Sequence, residues 1–145
     1  MARLDSLAGE VALITGGTRG LGFAIARERA KQGCRIAICA RNQAELRTAA
    51  ADLRNHADDV MAIRCDVGDH EQVAGMIARI RKRFGPVDLL VNNAGVIEVG
   101  PVESMRLSDF EDMMRTMFFG IVHTTLEVLP DMKEKGAGRI VNITS

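Results

Sequence analysis

At 145 residues, with 47% hydrophobic and 26% charged side chains, the chain can bury one core and is too apolar for a disordered segment; a single domain over residues 1–145 is expected. Nineteen basic residues balance nineteen acidic ones, which excludes the basic surface that nucleic-acid binding through phosphates requires. No apolar run is long enough for a secretory signal or a membrane span, and Cys34, Cys39 and Cys65 lack metal-ligand spacing, so the expectation is a cytoplasmic protein with no membrane partner, no metal and reduced, buried thiols.

The first β-rich apolar run is Val11–Thr15. It leads into Thr15-Gly16-Gly17-Thr18-Arg19-Gly20-Leu21-Gly22 and then a helical pattern from about Gly20 to Gln32, where the small residues Ala24, Ala26 and Ala30 permit close packing on a sheet. Gly33 supplies its stop. A second strand, Arg35–Ala40, precedes a helix opened by Asn42 and Glu45, with Leu46, Ala49, Ala50 and Leu53 on its inner side. After a third strand, Val60–Arg64, the pattern over 69–84 is the clearest in the chain, because Val73, Met76, Ile77, Ile80 and Phe84 fall on one helical face. Asp69 caps that helix with Gln72 three residues on, and Gly85-Pro86 ends it. The basic run 79–83 and Lys133-Glu134-Lys135 then read as solvated helix ends that complement the helix dipoles.

The fourth strand is read at Val87–Val91, with Asp88 bonding local backbone groups. Ser108-Asp-Phe-Glu111 has the pattern of a capping box and places a helix start at Ser108. Its apolar face carries Phe110, Met113, Met114, Met117, Phe118, Ile121 and Val122, and Pro130, Gly136 and Gly138 break the chain before a fifth strand at Arg139–Thr144. Strands alternating with helices at this spacing imply right-handed crossovers and an α/β, doubly wound parallel sheet of Rossmann type, strand order 3-2-1-4-5, with helices on both faces.

A strand, a glycine turn and a helix in succession form a cradle for a dinucleotide. Gly16 allows the sharp turn, Gly20 the approach of backbone to a pyrophosphate and Gly22 close helix packing, while amides at the helix start face the anion. The spacing Thr-Gly-x-x-x-Gly-x-Gly at 15–22, with Asn92-Asn93-Ala94-Gly95 after the fourth strand, closely resembles the short-chain dehydrogenase/reductase family. Asp66-Val67 and Gly138-Arg-Ile-Val-Asn-Ile-Thr-Ser145 also match, so the resemblance covers essentially the whole chain. It implies an oxidoreductase that interconverts an alcohol and a carbonyl with a nicotinamide dinucleotide. Gly16, Thr18, Arg19, Gly20, Leu21 and Gly22 of the turn would contact the cofactor, and Asp66 and Val67 its adenine. Asn93, Ala94 and Gly95 would line the cleft and tie the central strand to its neighbour. The end of the second strand, Ala40-Arg41-Asn42, offers no carboxylate for a ribose diol, and Arg41 with Arg19 of the glycine turn favours NADP(H) over NAD(H).

The family's proton donor is a tyrosine in Tyr-x-x-x-Lys, and this chain contains no tyrosine. Ser145 matches the serine that holds the substrate oxygen. Met117 stands where the family has an asparagine that anchors a water relay, and its plainest reading is a core residue of the apolar stripe. The histidines His56, His70 and His123 read as satisfied or solvated side chains. The chain alone is therefore expected to show no turnover: it reads as the front, cofactor-binding part of an incomplete domain that leaves apolar surface uncovered. A homo-oligomer is expected for a full-length parent, with the long helix at a subunit interface. The alternative is a short, catalytically incompetent protein that binds a dinucleotide or a partner.

Overall fold

The computed structural model describes residues 7–144. It forms a sheet of five parallel strands, β1 (Val11–Thr15), β2 (Arg35–Ala40), β3 (Val60–Arg64), β4 (Leu89–Asn92) and β5 (Arg139–Asn142), in the order β3-β2-β1-β4-β5. The fold class and strand order expected from the sequence are those observed. β4 starts two residues later than the apolar run, and β5 ends two residues earlier.

The described residues form five α-helices, α1 (Gly20–Lys31), α2 (Gln43–Leu53), α3 (His70–Phe84), α4 (Leu107–Met114) and α5 (Gly120–Lys135), of which α1, α2, α3 and α5 cover the sheet. Side chains alternate along each strand and so divide the core in two. Ala12, Ile14, Ile36 and Ile38 meet α1 and α2 on one face, through Ala26, Ala30, Leu46, Ala49 and Leu53. On the other face Leu13, Ala37, Cys39 and Ile63 meet α3 and α5. All five residues of β1 are buried, as expected of a central strand covered on both sides. Ala24, expected against the sheet, is exposed, and Gly22 joins Ala26 and Ala30 on the buried side of α1.

The predicted caps of α2 and α3 form. Asn42 Oδ1 accepts from the amides of Ala44 and Glu45 at 2.9 and 3.2 Å, and Asp69 Oδ1 accepts from Gln72 at 3.2 Å. Hydrogen bonds from the Gln72 backbone and side chain hold the Asp69 carboxyl below the usual aspartate range. Gly33 and Gly85 take positive φ, +86° and +93°, at the stops of α1 and α3.

The chain after β4 departs from the sequence reading in three ways. The helix begins at Leu107, not Ser108: Asp109, not Glu111, reaches back, accepting from the Arg106 amide at 2.8 Å. A wide π turn at Arg115–Phe119 then separates α4 from α5. The extra residue in that turn shifts the helical register, so the apolar stripe does not continue onto the sheet. Phe110, Met114, Met117 and Phe118 are exposed, Met117 by 36%, and Met117 is not the core residue expected. The buried line is instead Gly120, Thr124, Val128 and Met132, each four residues from the next. Pro130 does not break the chain but lies inside α5. The helix tolerates the missing N–H because its buried face, with Val128 and Met132 on either side of the proline, is anchored against the sheet and α3. Gly136, at φ +71°, provides the stop.

Asp88 also acts differently from expectation. Its Oδ2 accepts from the Val11 amide at 2.9 Å, across the sheet, and Oδ1 pairs with Lys135. Arg81 pairs with Asp131 of α5 at 2.8 Å, so the basic run does more than face solvent. No helix of the described residues is long and apolar enough to cross a membrane.

Two outcomes follow. Leu13, fully buried at the centre of the sheet, should cost about 2–5 kcal/mol of stability when changed to alanine, read by urea denaturation. Asp69 has a lowered folded-state pKa, so its contribution is complete above the unfolded value and lost as pH falls through the folded one. Thermal melts taken from neutral to acid pH should therefore show a shallower acid loss for Asp69→Asn than for the wild type.

Candidate functional site

At the carboxyl ends of the strands, where the chain winds outward in opposite directions from β1 and β4, lies a cavity of about 400 Å³. Its first wall is the glycine turn. Gly16 has φ +62°, and a β-carbon there would stand 2.9 Å from the Ala94 α-carbon. Gly20 also has a positive φ, +57°, but nothing lies within 4 Å of where its β-carbon would be, so the turn is open on that side. At Gly22 a β-carbon would meet Asn93 Nδ2 at 2.3 Å and the Gly16 oxygen at 2.4 Å. Gly22 thus makes room for the Asn93 side chain more than for the strand. Gly17 carries a constraint that sequence reading missed: a β-carbon there would lie 2.6 Å from Ile38 Cγ2.

The second wall is Asn93-Ala94-Gly95, held to the end of β1 by Thr15. The Thr15 hydroxyl accepts from the amides of Asn93 and Ala94 at 2.9 and 3.0 Å and donates to the Val91 carbonyl at 3.4 Å. Asn93 Nδ2 donates to the Thr15 and Gly16 carbonyls at 3.3 and 3.1 Å. The expected tie between the central strand and its neighbour is present, with Thr15 as its unforeseen hub.

Asp66 and Val67 form the third wall. Asp66 Oδ1 accepts from Gly68 at 2.9 Å, and the Asp66 amide donates to Gln72 Oε1 at 3.0 Å. Val67 is buried against α5, where Gly120 leaves no room for a β-carbon. Beneath them Cys39 and Cys65 lie in contact; Cys39 is pushed well up by its hydrogen bond to Cys65 and by burial. All three cysteines are free and buried, as expected.

Arg19 and Arg41 both line the cavity. The end of β2 itself carries no carboxylate, as expected, but the next helix brings one to the two arginines. The first turn of α2 swings Glu45 into the same space, where Oε2 accepts from Thr18 Oγ1 at 3.1 Å and Oε1 lies 4.0 Å from Arg19 Nη1. The signal was available, since Glu45 follows the cap Asn42 by three residues, but its direction is set by packing. Arg64, also unforeseen, donates to the Arg41 carbonyl at 3.2 Å.

Of the candidate residues, Gly16, Thr18, Arg19, Arg41, Asp66, Val67, Asn93, Ala94 and Gly95 line one cavity. Gly20, Leu21 and Gly22 belong to the first turn of α1 beside it, and Leu21 is exposed. Met117 sits in the π turn next to Thr116, which does line the cavity. Ser145 lies outside the described residues. His70 pairs with Glu127 at 2.9 Å and stacks on His123, whose Nδ1 meets the Val67 carbonyl at 2.9 Å. These two histidines are satisfied, and no cluster suited to a metal occurs among the described residues.

A parallel sheet in the order 3-2-1-4-5, with a glycine turn at the reversal of winding, defines the Rossmann-type α/β class. Within that class the chain belongs to the short chain dehydrogenase family of oxidoreductases, whose pattern it matches over residues 10–145. The 3-ketodihydrosphingosine reductase of Mus musculus is 38% identical over 145 residues, 97% of this chain and 44% of that protein. A solved L-sorbose reductase of Gluconobacter frateurii, complexed with NADPH and L-sorbose, superposes with a TM-score of 0.88 at 31% identity, over 93% of this chain and 52% of that one. An NAD⁺-bound xylitol dehydrogenase superposes with a TM-score of 0.92 at 32% identity, over 97% of this chain and 55% of that one. The chain spans about half the length of the curated relatives it matches.

Filling the space at Gly22 tests the clasp. Gly22→Ala should displace Asn93 and cost about 1–3 kcal/mol, with faster hydrogen exchange at the Asn93 and Ala94 amides. Unchanged exchange would show that the clasp accommodates the methyl group.

Proposed function

We propose that residues 1–145 form the NAD(P)-binding Rossmann-type domain of an NADP(H)-dependent oxidoreductase that interconverts an alcohol and a carbonyl. The observation that carries this reading is the meeting of Arg19 and Arg41 with the glycine turn and Asp66 around one cavity. The residues present fit the cofactor. The N-cap of α1, Arg19, makes no side-chain cap, and the first turn of α1 has no acidic residue, so its amides are not matched to a side-chain oxygen as those of α2 and α3 are to Asn42 and Asp69. Such a helix start favours a pyrophosphate, and the open side of Gly20 leaves room for one.

In this reading Gly16, Thr18, Gly20, Leu21 and Gly22 surround the phosphates, Asp66 and Val67 hold the adenine, and Asn93, Ala94 and Gly95 form the floor. Arg19 and Arg41 meet the 2′-phosphate with charge-assisted hydrogen bonds. The cofactor, when bound, supplies or accepts the hydride. Ser145 would hold the substrate oxygen. With no tyrosine, the chain by itself would bind cofactor without turnover. One solved relative is complexed with NADPH and another is NAD⁺-bound, so the two arginines, not the relatives, support the preference.

Thermal-shift and fluorescence titrations of this chain should give NADPH an affinity about tenfold or more above that of NADH. Arg41→Asp should reverse that order. Equal affinities, or a ratio unmoved by Arg41→Asp, would overturn the preference. In a longer form of the protein Met117→Asn should raise turnover by restoring an amide to the relay position; no gain would remove Met117 from the account.

A further inference from the structure

Three residues past a helix cap, a glutamate normally turns back to bond the cap's own amide. Glu45 reaches across to the glycine turn instead. Its Oε2 takes the Thr18 hydroxyl at 3.1 Å, while Oε1 lies 3.5 Å from Asn42 Nδ2 and 4.0 Å from Arg19 Nη1. The side chain of Asn42 caps α2 through the amides of Ala44 and Glu45, so the Glu45 carboxylate is left to face the cavity.

That position sets a conflict of charge. A phosphate on the ribose carries between one and two negative charges, and the guanidinium that would receive it already has a carboxylate beside it. The Arg19 side chain is 85% exposed and that of Glu45 40%, so the pair itself is weak and easily broken. Breaking it does not remove the carboxylate, because Thr18 and Asn42 still hold it at the rim of the cavity. A ribose with a free 2′-hydroxyl meets no such repulsion.

We propose that Glu45 is a specificity-determining residue that holds down the chain's discrimination in favour of a 2′-phosphorylated nucleotide, through its charge and its contact with Thr18. The proposal rests on the reading that Arg19 and Arg41 receive that phosphate. It differs from that reading in what it requires: Arg19 and Arg41 set the sign of the preference, and Glu45 limits its size.

The test is calorimetric titration of the full chain and its E45Q variant with adenosine 2′,5′-bisphosphate and with 5′-AMP. E45Q keeps the size and hydrogen-bonding capacity of the side chain and removes the charge. The bisphosphate should bind E45Q about three- to tenfold more tightly than the wild type, and 5′-AMP should change by less than about twofold. Because both groups are solvent-accessible, the gain should shrink between about 0.02 M and about 0.5 M salt. Equal tightening of both ligands, no tightening of the bisphosphate, or a gain that persists at high salt would each overturn the proposal. E45A gives a second reading of the same ratio if E45Q does not fold. The wild-type ratio judges the arginines separately: a wild type that prefers 5′-AMP sinks the NADP(H) reading, whereas Glu45 is judged by the change in the ratio.

Discussion

One threonine hydroxyl holds the candidate site together. Thr15 Oγ1 has one proton to donate and two lone pairs to offer, and all three are engaged: Val91 receives, and Asn93 and Ala94 donate. The hydroxyl is buried, so each of these bonds replaces contact with water that the group cannot otherwise have. Through it the ends of β1 and β4 are fixed to each other just where both chains leave the sheet. The Asn93 amide then extends the join to the Thr15 and Gly16 carbonyls, and Gly22 is small because that amide needs the space. The shape of the cavity follows from this clasp, since two of its walls are the segments it binds.

A second polar centre lies one strand step away. Asn92, also buried, donates from Nδ2 to Asn142 of β5 at 2.9 Å and accepts from Thr124 of α5 at 2.6 Å. Thr124 Oγ1 also lies 2.9 Å from the Gly120 carbonyl, which competes with Asn92 for its single proton, and through Thr124 the start of α5 is tied to the end of β4. The result is graded. The half of the sheet around β1 and β2 is closed on both faces, whereas Val141 of β5 and Ile143 just after it are exposed, and the exposed apolar side chains gather on α4, the π turn and α5.

Much of this was legible in the sequence for local reasons. The bounds of β1, β2 and β3, the caps Asn42 and Asp69 and the stops at Gly33 and Gly85 each depend on neighbours a few residues away. The apolar stripe of α3 was equally clear, because a straight helix keeps its period from end to end. The same extrapolation failed across Arg115–Phe119, where one wide turn changes which residues face inward. Pro130 misled for a related reason: local propensity disfavours it within a helix, and the packing of Val128 and Met132 overrides that preference.

The sequence by itself determined the alternation of strands and helices, the glycine turn and the family's motifs, because these are encoded in residues adjacent along the chain. Only the tertiary structure decided that Glu45 shares a cavity with Arg19 and Arg41, that Asp88 and Thr15 bind backbone across the sheet, and that Met117 is exposed. Those facts depend on where a helix lies and how its turns are wound once packed. A side chain's chemistry is written in the sequence, whereas the partner it meets is set by the packing of elements far apart along the chain.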